Sequence, residues 1–267
     1  MSTAAGEMLT GEDPGGADAV VAGSSGIAAR SPLQLFWRRL RKDKVAMVAL
    51  AFVAFSVIVA LFAPLIVKVA GVPGPNVQNS DLLDSFGLPS GPSGANPLGV
   101  DERGRDVFAR VVYGARVSLL VAFVATTFAT IIGVVVGLLA GFFRGWIDTL
   151  LTRAMDVMLA FPVLLLAIGI GVACAGAEGC AGGLIEPGLT VVIFVIAIST
   201  WPYMARIVRG QVLSLREKEF VEASTSLGAS KLRIIFREIL PNLVAPIIVY
   251  ATILIPQNIL FEAALSI

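Results

Sequence analysis

Glu222, Ala223, Ser224 and Gly228 stand in the order E-A-S-x-x-x-G, and Ile239, Leu240, Pro241 and Asn242 follow after ten intervening residues. These residue types build a contact surface; they perform no bond chemistry. From Glu217 to Leu227 the chain reads as a short helix, with Phe220, Val221 and Leu227 apolar and Glu217, Lys218, Glu219 and Glu222 polar. Gly228 ends it, because a helix C′ position favours the left-handed conformation that only glycine adopts cheaply. Ser230 then N-caps a second helix from Lys231. Pro241 cannot lie far inside that helix without kinking it. The expectation is two short amphipathic helices joined by a tight turn at the membrane surface. By shape alone this is an interfacial anchor.

A second segment, Pro97–Leu119, begins as a glycine-rich turn containing Gly99, Asp101, Gly104 and Arg105. A short helix is expected from Asp106, with an Asp106–Arg110 pair at i,i+4. Gly114 should end or bend it, leaving a helix flat on the outer surface before Val117 enters the bilayer. Cys174 and Cys180 flank a short turn. They are read either as a disulfide, on an oxidising side, or as two small buried thiols. Ala125, Ala129, Gly133, Gly137 and Gly141 recur every four residues and share one helix face. Such a stripe lets helices approach closely in lipid, either within this chain or against a second subunit.

Other chemistry is excluded by what is missing. The chain has no histidine, which removes Ser-His-Asp and Cys-His catalysis and histidine metal sites. It has no G-x-x-x-x-G-K-[ST] string, so it cannot cradle ATP phosphates by the usual route. No cofactor, metal or nucleic-acid site is expected. Asp156 and Glu262 sit at the ends of apolar runs, and no polar cluster is expected within them. A membrane-embedded enzyme or an ion-coupled secondary carrier needs such groups.

The elements that position these segments follow from composition. Of 267 residues, 57% are hydrophobic and 15% charged, against about 45–50% and about 25% in soluble domains. This is a polytopic, all-α membrane bundle. Five uncharged runs approach the roughly 20 residues that a spanning helix needs: 45–67, 117–143, 157–177, 187–205 and 239–261. Residues 1–30, rich in Gly, Ala and Ser, read as a disordered cytoplasmic tail ahead of a membrane domain at 31–267. Arg38, Arg39, Arg41, Lys42 and Lys44 precede the first span, so the N-terminus is placed inside. Alternation then puts most of the 20 Lys and Arg residues inside, with the 68–116 loop outside and the 209–242 loop inside.

The E-A-S-x-x-x-G…I-L-P stretch resembles the EAA loop of ABC importer permeases. Ser224 replaces the second alanine, and Glu238 stands where these proteins often carry histidine. P-L-G-V-D-E-R-G-R-D at Pro97–Asp106 resembles the P-L-G-T-D-x-x-G-R-D segment of the C-type permease subunit of dipeptide and oligopeptide importers, with Val100 in place of threonine. The likeness extends from about Phe36 to Ile267. It implies a type I importer permease fold (MetI-like) in the bacterial plasma membrane. Five spans are visible here; the family continues past E-A-A-L-S with F-L-G and a sixth span, which is absent after Ile267. The resemblance also implies partners: a second, B-type permease, two ATPase subunits that hold ATP and Mg, and an extracytoplasmic solute-binding protein. Glu222, Ala223, Ser224, Gly228, Ile239, Leu240 and Pro241 would meet an ATPase. Gly99, Asp101, Gly104, Arg105 and Asp106 would face the binding protein. The implied cargo is a short peptide, with nickel chelates or haem as alternatives.

Overall fold

The computed structural model describes residues 37–38, 40–84, 86–174, 176, 185 and 188–265. The expected tail at 1–30 and Cys180 lie outside the described residues. Contacts divide the chain into two units, Met1–Val53 and Ala54–Ile267. In the first unit, Asp43 Oδ1 accepts from the amides of Val45 (3.0 Å) and Ala46 (3.1 Å) and so caps the start of α1, Lys44–Leu61, whose residues from Ala54 on belong to the second unit. Most α1 side chains are exposed although nearly all are apolar, as expected of a helix that faces lipid.

The second unit contains α2 (Ala63–Val69), α3 (Val107–Phe142), α4 (Trp146–Ala160), α5 (Val163–Ala173), α6 (Leu189–Leu215) and α7 (Glu219–Ser226). A last helix, α8, runs through Lys231–Leu265, with Ile234–Ile239 in π-helical geometry. The described residues include no strand; isolated bridges pair Leu83 with Pro89 and Val100 with Asp106. Among the described residues, four helices are long and apolar enough to cross a membrane, or five if α4 and α5 form one broken span.

Several helices differ from the apolar runs that announce them. The lead-in helix at Asp106 does not end at Gly114; α3 is one unbroken helix of 36 residues. At 1.5 Å per residue it is about 54 Å long, well beyond the roughly 30 Å hydrocarbon core. Gly114 has no neighbour within 4 Å of a virtual Cβ. An interior glycine costs only about 1 kcal/mol, too little to break so long a ladder. The 157–177 run is not one helix. It breaks at Phe161–Pro162, where α4 and α5 meet at 87°, because the residue before a proline avoids helical geometry. The second helix of the 209–242 loop does not stop at Pro241 but merges with the final span. The π turn just before Pro241 absorbs its missing N–H and the clash of its ring with the carbonyl four residues back.

The small-residue stripe packs inside this chain, against α6. A Cβ on Gly133 would lie 2.6 Å from Met204 Cβ, one on Gly137 2.6 Å from the Ala205 carbonyl, and one on Gly141 2.7 Å from Val212 Cβ. The helices are therefore in close contact at three successive positions, over about two turns.

The interior also holds polar pairs that the apolar runs conceal. Asn258 Nδ2 donates to Thr126 Oγ1 at 2.8 Å with both residues buried, and Ser118 Oγ donates to Glu262 Oε2 at 2.6 Å. The expectation of no polar cluster within the spans is thus corrected. Asn258 and Glu262 are one helical turn apart on α8 and share a face that turns toward α3.

Candidate functional site

Helix α7 starts from an extended Lys218 and carries Glu219 and Glu222 in its first turn, where carboxylates complement the helix dipole. It closes in a Schellman arrangement. The amide of Gly228 donates to the Thr225 carbonyl at 2.9 Å, and that of Ala229 to the Ser224 carbonyl at 3.1 Å. Gly228 has φ +78°, so the expected left-handed stop is present. Ser230 Oγ then accepts from the Arg233 amide at 3.4 Å, and α8 begins.

This turn is seated on the bundle by one face. Val221 is buried in a cluster with Leu138, Met204, Val208, Val212 and Ile234. Glu222, Ala223 and Gly228 are exposed, Ser224 is half-buried, and Leu227 retains 88% of its surface. Of the remaining expected docking residues, Ile239 is fully buried in that same cluster while Pro241 is exposed. Ile239, Leu240 and Pro241 therefore belong to α8 rather than to the turn.

Polar contacts tie the turn to the neighbouring helices. Arg144 Nη2 donates to Glu217 Oε1 at 2.8 Å, and Arg216 Nη1 donates to the Phe142 carbonyl at 2.7 Å, capping the end of α3. Arg209 grips Asp148 through two bonds of 2.6 and 2.9 Å, and Arg206 reaches Asp156 at 2.7 Å, joining α6 to α4. The forked Arg209–Asp148 pair holds orientation better than a single contact.

The second expected site is a tightly built turn. Asp101 Oδ1 accepts from the amides of Arg103 (2.9 Å) and Arg105 (3.0 Å), while its Oδ2 takes Arg105 Nε at 2.8 Å. Burial alone would raise the Asp101 pKa; these hydrogen bonds and the Arg105 charge outweigh it and hold the carboxyl at about 2. Gly104 has φ +68° and a Cβ there would strike the Asn79 carbonyl. The expected Asp106–Arg110 pair does not form. Asp106, 1% exposed, caps α3 through the Ala109 amide (2.7 Å) and accepts from Asn96 Nδ2 (2.8 Å), while Arg110 turns to Asp101 at 3.5 Å. The side chains of Asp101, Arg105 and Asp106 are consumed internally; Glu102 and Arg103 project from the tip. Cys174 is buried, and its expected partner Cys180 lies outside the described residues.

Residues 133–267 match the family described as binding-protein-dependent transport system inner membrane component. Residues 31–83 match the N-terminal transmembrane domain of oligopeptide transport permease C. The chain belongs to the C-type permeases of dipeptide and oligopeptide ABC importers. This permease is 43% identical over 236 residues to the dipeptide transport system permease protein of Alkalihalophilus pseudofirmus, covering 88% of this chain and 71% of the relative. It is 39% identical over 237 residues to the glutathione transport system permease proteins of Escherichia coli (strain 536) and Shigella boydii, covering 89% of this chain and 72% of each relative. It is thus a multi-pass inner-membrane transport subunit with the MetI-like fold, not an enzyme, and such a subunit works with ATPase and substrate-binding partners.

Proposed function

We propose that this permease carries short peptides inward and is driven through the α7–Gly228–α8 turn, which docks on an ATPase subunit. One observation carries the reading: the motif residues Glu222, Ala223 and Gly228 are exposed on the turn while Val221 on its other side is buried in the bundle. An element anchored on one face and free on the other can pass a displacement inward. A push on α7 would reach α8 directly, and α3 and α4 through Arg216–Phe142 and Arg144–Glu217. ATP binding in the partner would then bias the bundle between two states, as any ligand does that prefers one of them. Ser224 supports the turn through its carbonyl, and Ile239, Leu240 and Pro241 root it in α8.

The rest of the assembly in this reading is a B-type permease, two ATPase chains holding ATP and Mg, and an extracytoplasmic solute-binding protein. That protein meets the turn scaffolded by Gly99, Asp101, Gly104, Arg105 and Asp106, chiefly at Glu102 and Arg103. Residues 1–30 form a cytoplasmic tail and 31–267 the membrane domain. Peptide cargo is supported by the relatives named for dipeptide and glutathione transport. Cys174 and Cys180 are paired; alkylation of the denatured chain before and after reduction tests this.

Reconstitution tests the function. Liposomes holding both permeases and the ATPases should take up peptide when binding protein and ATP are supplied. This chain alone should show neither ATPase activity nor uptake. Uptake by the chain alone under a proton gradient would favour a secondary carrier instead. Orientation is tested separately: cysteines at Ser93 and Glu102 should react with an impermeant reagent in intact cells and one at Ser214 should not, and the reverse pattern inverts the topology.

A further inference from the structure

Where α3 ends at Phe142 and α6 at Leu215, the chain forms an open cavity of about 850 Å³. Its walls have two characters. Phe142, Phe143, Ile147 and Ile234 supply apolar surface, and Arg144, Arg216 and Lys231 supply cations. Only one of these cations is neutralised by the chain: Arg144 is paired with Glu217. Among the described residues, neither Arg216 nor Lys231 has a carboxylate partner. Arg216 spends one donor on the Phe142 carbonyl, and the Lys231 ammonium lies 5.8 Å over the Phe143 ring. Glu222 also lines the cavity, exposed on the α7 wall.

The backbone adds to this positive field. Helix α4 begins at Trp146, after a Gly145 that offers no side-chain cap, and α8 begins at Lys231. Both starts adjoin the cavity, and helix N-termini favour anions. The Arg216 pKa is lowered, first by burial and then by the nearby Arg144 charge, with Glu217 a partial offset. The protein has gathered positive charge here without supplying enough negative charge of its own.

We propose that this cavity binds the headgroup of an anionic phospholipid, with its phosphate between Arg216 and Lys231 and its glycerol end against Phe142 and Ile147. The location favours a lipid over a free anion, because the apolar run of α3 ends at the cavity, at Phe142, and half of its lining is hydrocarbon. Basic pockets between spans at such a level are suited to acidic headgroups. A lipid there would brace the α3 end and the α7 turn together. The inference needs only a membrane-embedded chain; because Glu222 belongs both to this wall and to the docking face proposed for α7, it is tested without partners.

The test uses the full chain, purified without partners, in nanodiscs and by native mass spectrometry. Phosphatidylglycerol should be retained over phosphatidylcholine. Arg216→Gln and Lys231→Gln should each weaken that preference about fivefold, while Lys231→Arg keeps it. Melting temperature in detergent shows whether each variant is folded; should Arg216→Gln unfold, Lys231→Gln alone decides. Equal retention of the two lipids would overturn the proposal. So would displacement of the bound phosphatidylglycerol by millimolar inorganic phosphate, which would assign the site to free anions.

Discussion

The amide of Ala229 donates to the carbonyl of Ser224 at 3.1 Å, across a Gly228 held at φ +78°. This contact closes α7 before α8 begins. Nothing lies within 4 Å of a Cβ at Gly228, so backbone conformation and not space demands the glycine.

Gly228→Val should therefore insert normally yet lose most transport. The left-handed conformation costs an L residue about 1–2 kcal/mol, enough to shift the turn's population roughly tenfold. Membrane level by immunoblot and peptide uptake in the same cells check this. Normal uptake by the variant would remove the turn from the mechanism.

Gly137→Leu should lower the melting temperature of the purified chain. Its Cβ meets the Ala205 carbonyl at 2.6 Å and Val208 Cβ at 2.7 Å, and overpacking costs about 1–3 kcal/mol. Gly114→Ala, on the same helix with open space around it, should instead stabilise by about 0.5–1 kcal/mol. Equal effects from the two would contradict the α3–α6 contact.

The Asp101 turn should respond to acid. Its carboxyl lies at about 2 in the fold against an ordinary 3.8. A lowered native pKa contributes stability that is present above the ordinary value and lost as pH falls through the native one. The turn should stay protected from hydrogen exchange at pH 5 and loosen between about pH 4 and pH 2. Asp101→Asn should exchange faster at pH 7 and show little further change on acidification. A wild-type turn that holds its protection through pH 2 would refute the assignment.

Much of this arrangement is legible in the residues because its causes are local. Gly228 and Ser230 mark a helix stop and start by capping chemistry alone, and uncharged runs mark the spans by hydrocarbon thickness. Helix continuity is less legible. Gly114 reads as a break but costs too little to cause one. Pro241 reads as a kink if it lies inside the helix, yet a π turn at Ile234–Ile239 accommodates it. Phe161–Pro162 is the opposite case, a local break hidden inside an apolar run. The Thr126–Asn258 contact joins residues 132 positions apart, and no spacing rule pairs them. The available sign is Asn258 and Glu262, polar residues a turn apart near the end of the apolar final span.

The claim that α7 is the docking element is tested most directly by cross-linking in membranes that hold the assembled importer. A cysteine replacing the exposed Ala223, in a chain whose Cys174 and Cys180 are replaced by serine, should form an adduct with an ATPase subunit. The yield should change when ATP is added, and a cysteine at Ser93 should give no such adduct. An ATPase adduct from Ser93 and none from Ala223 would contradict the account.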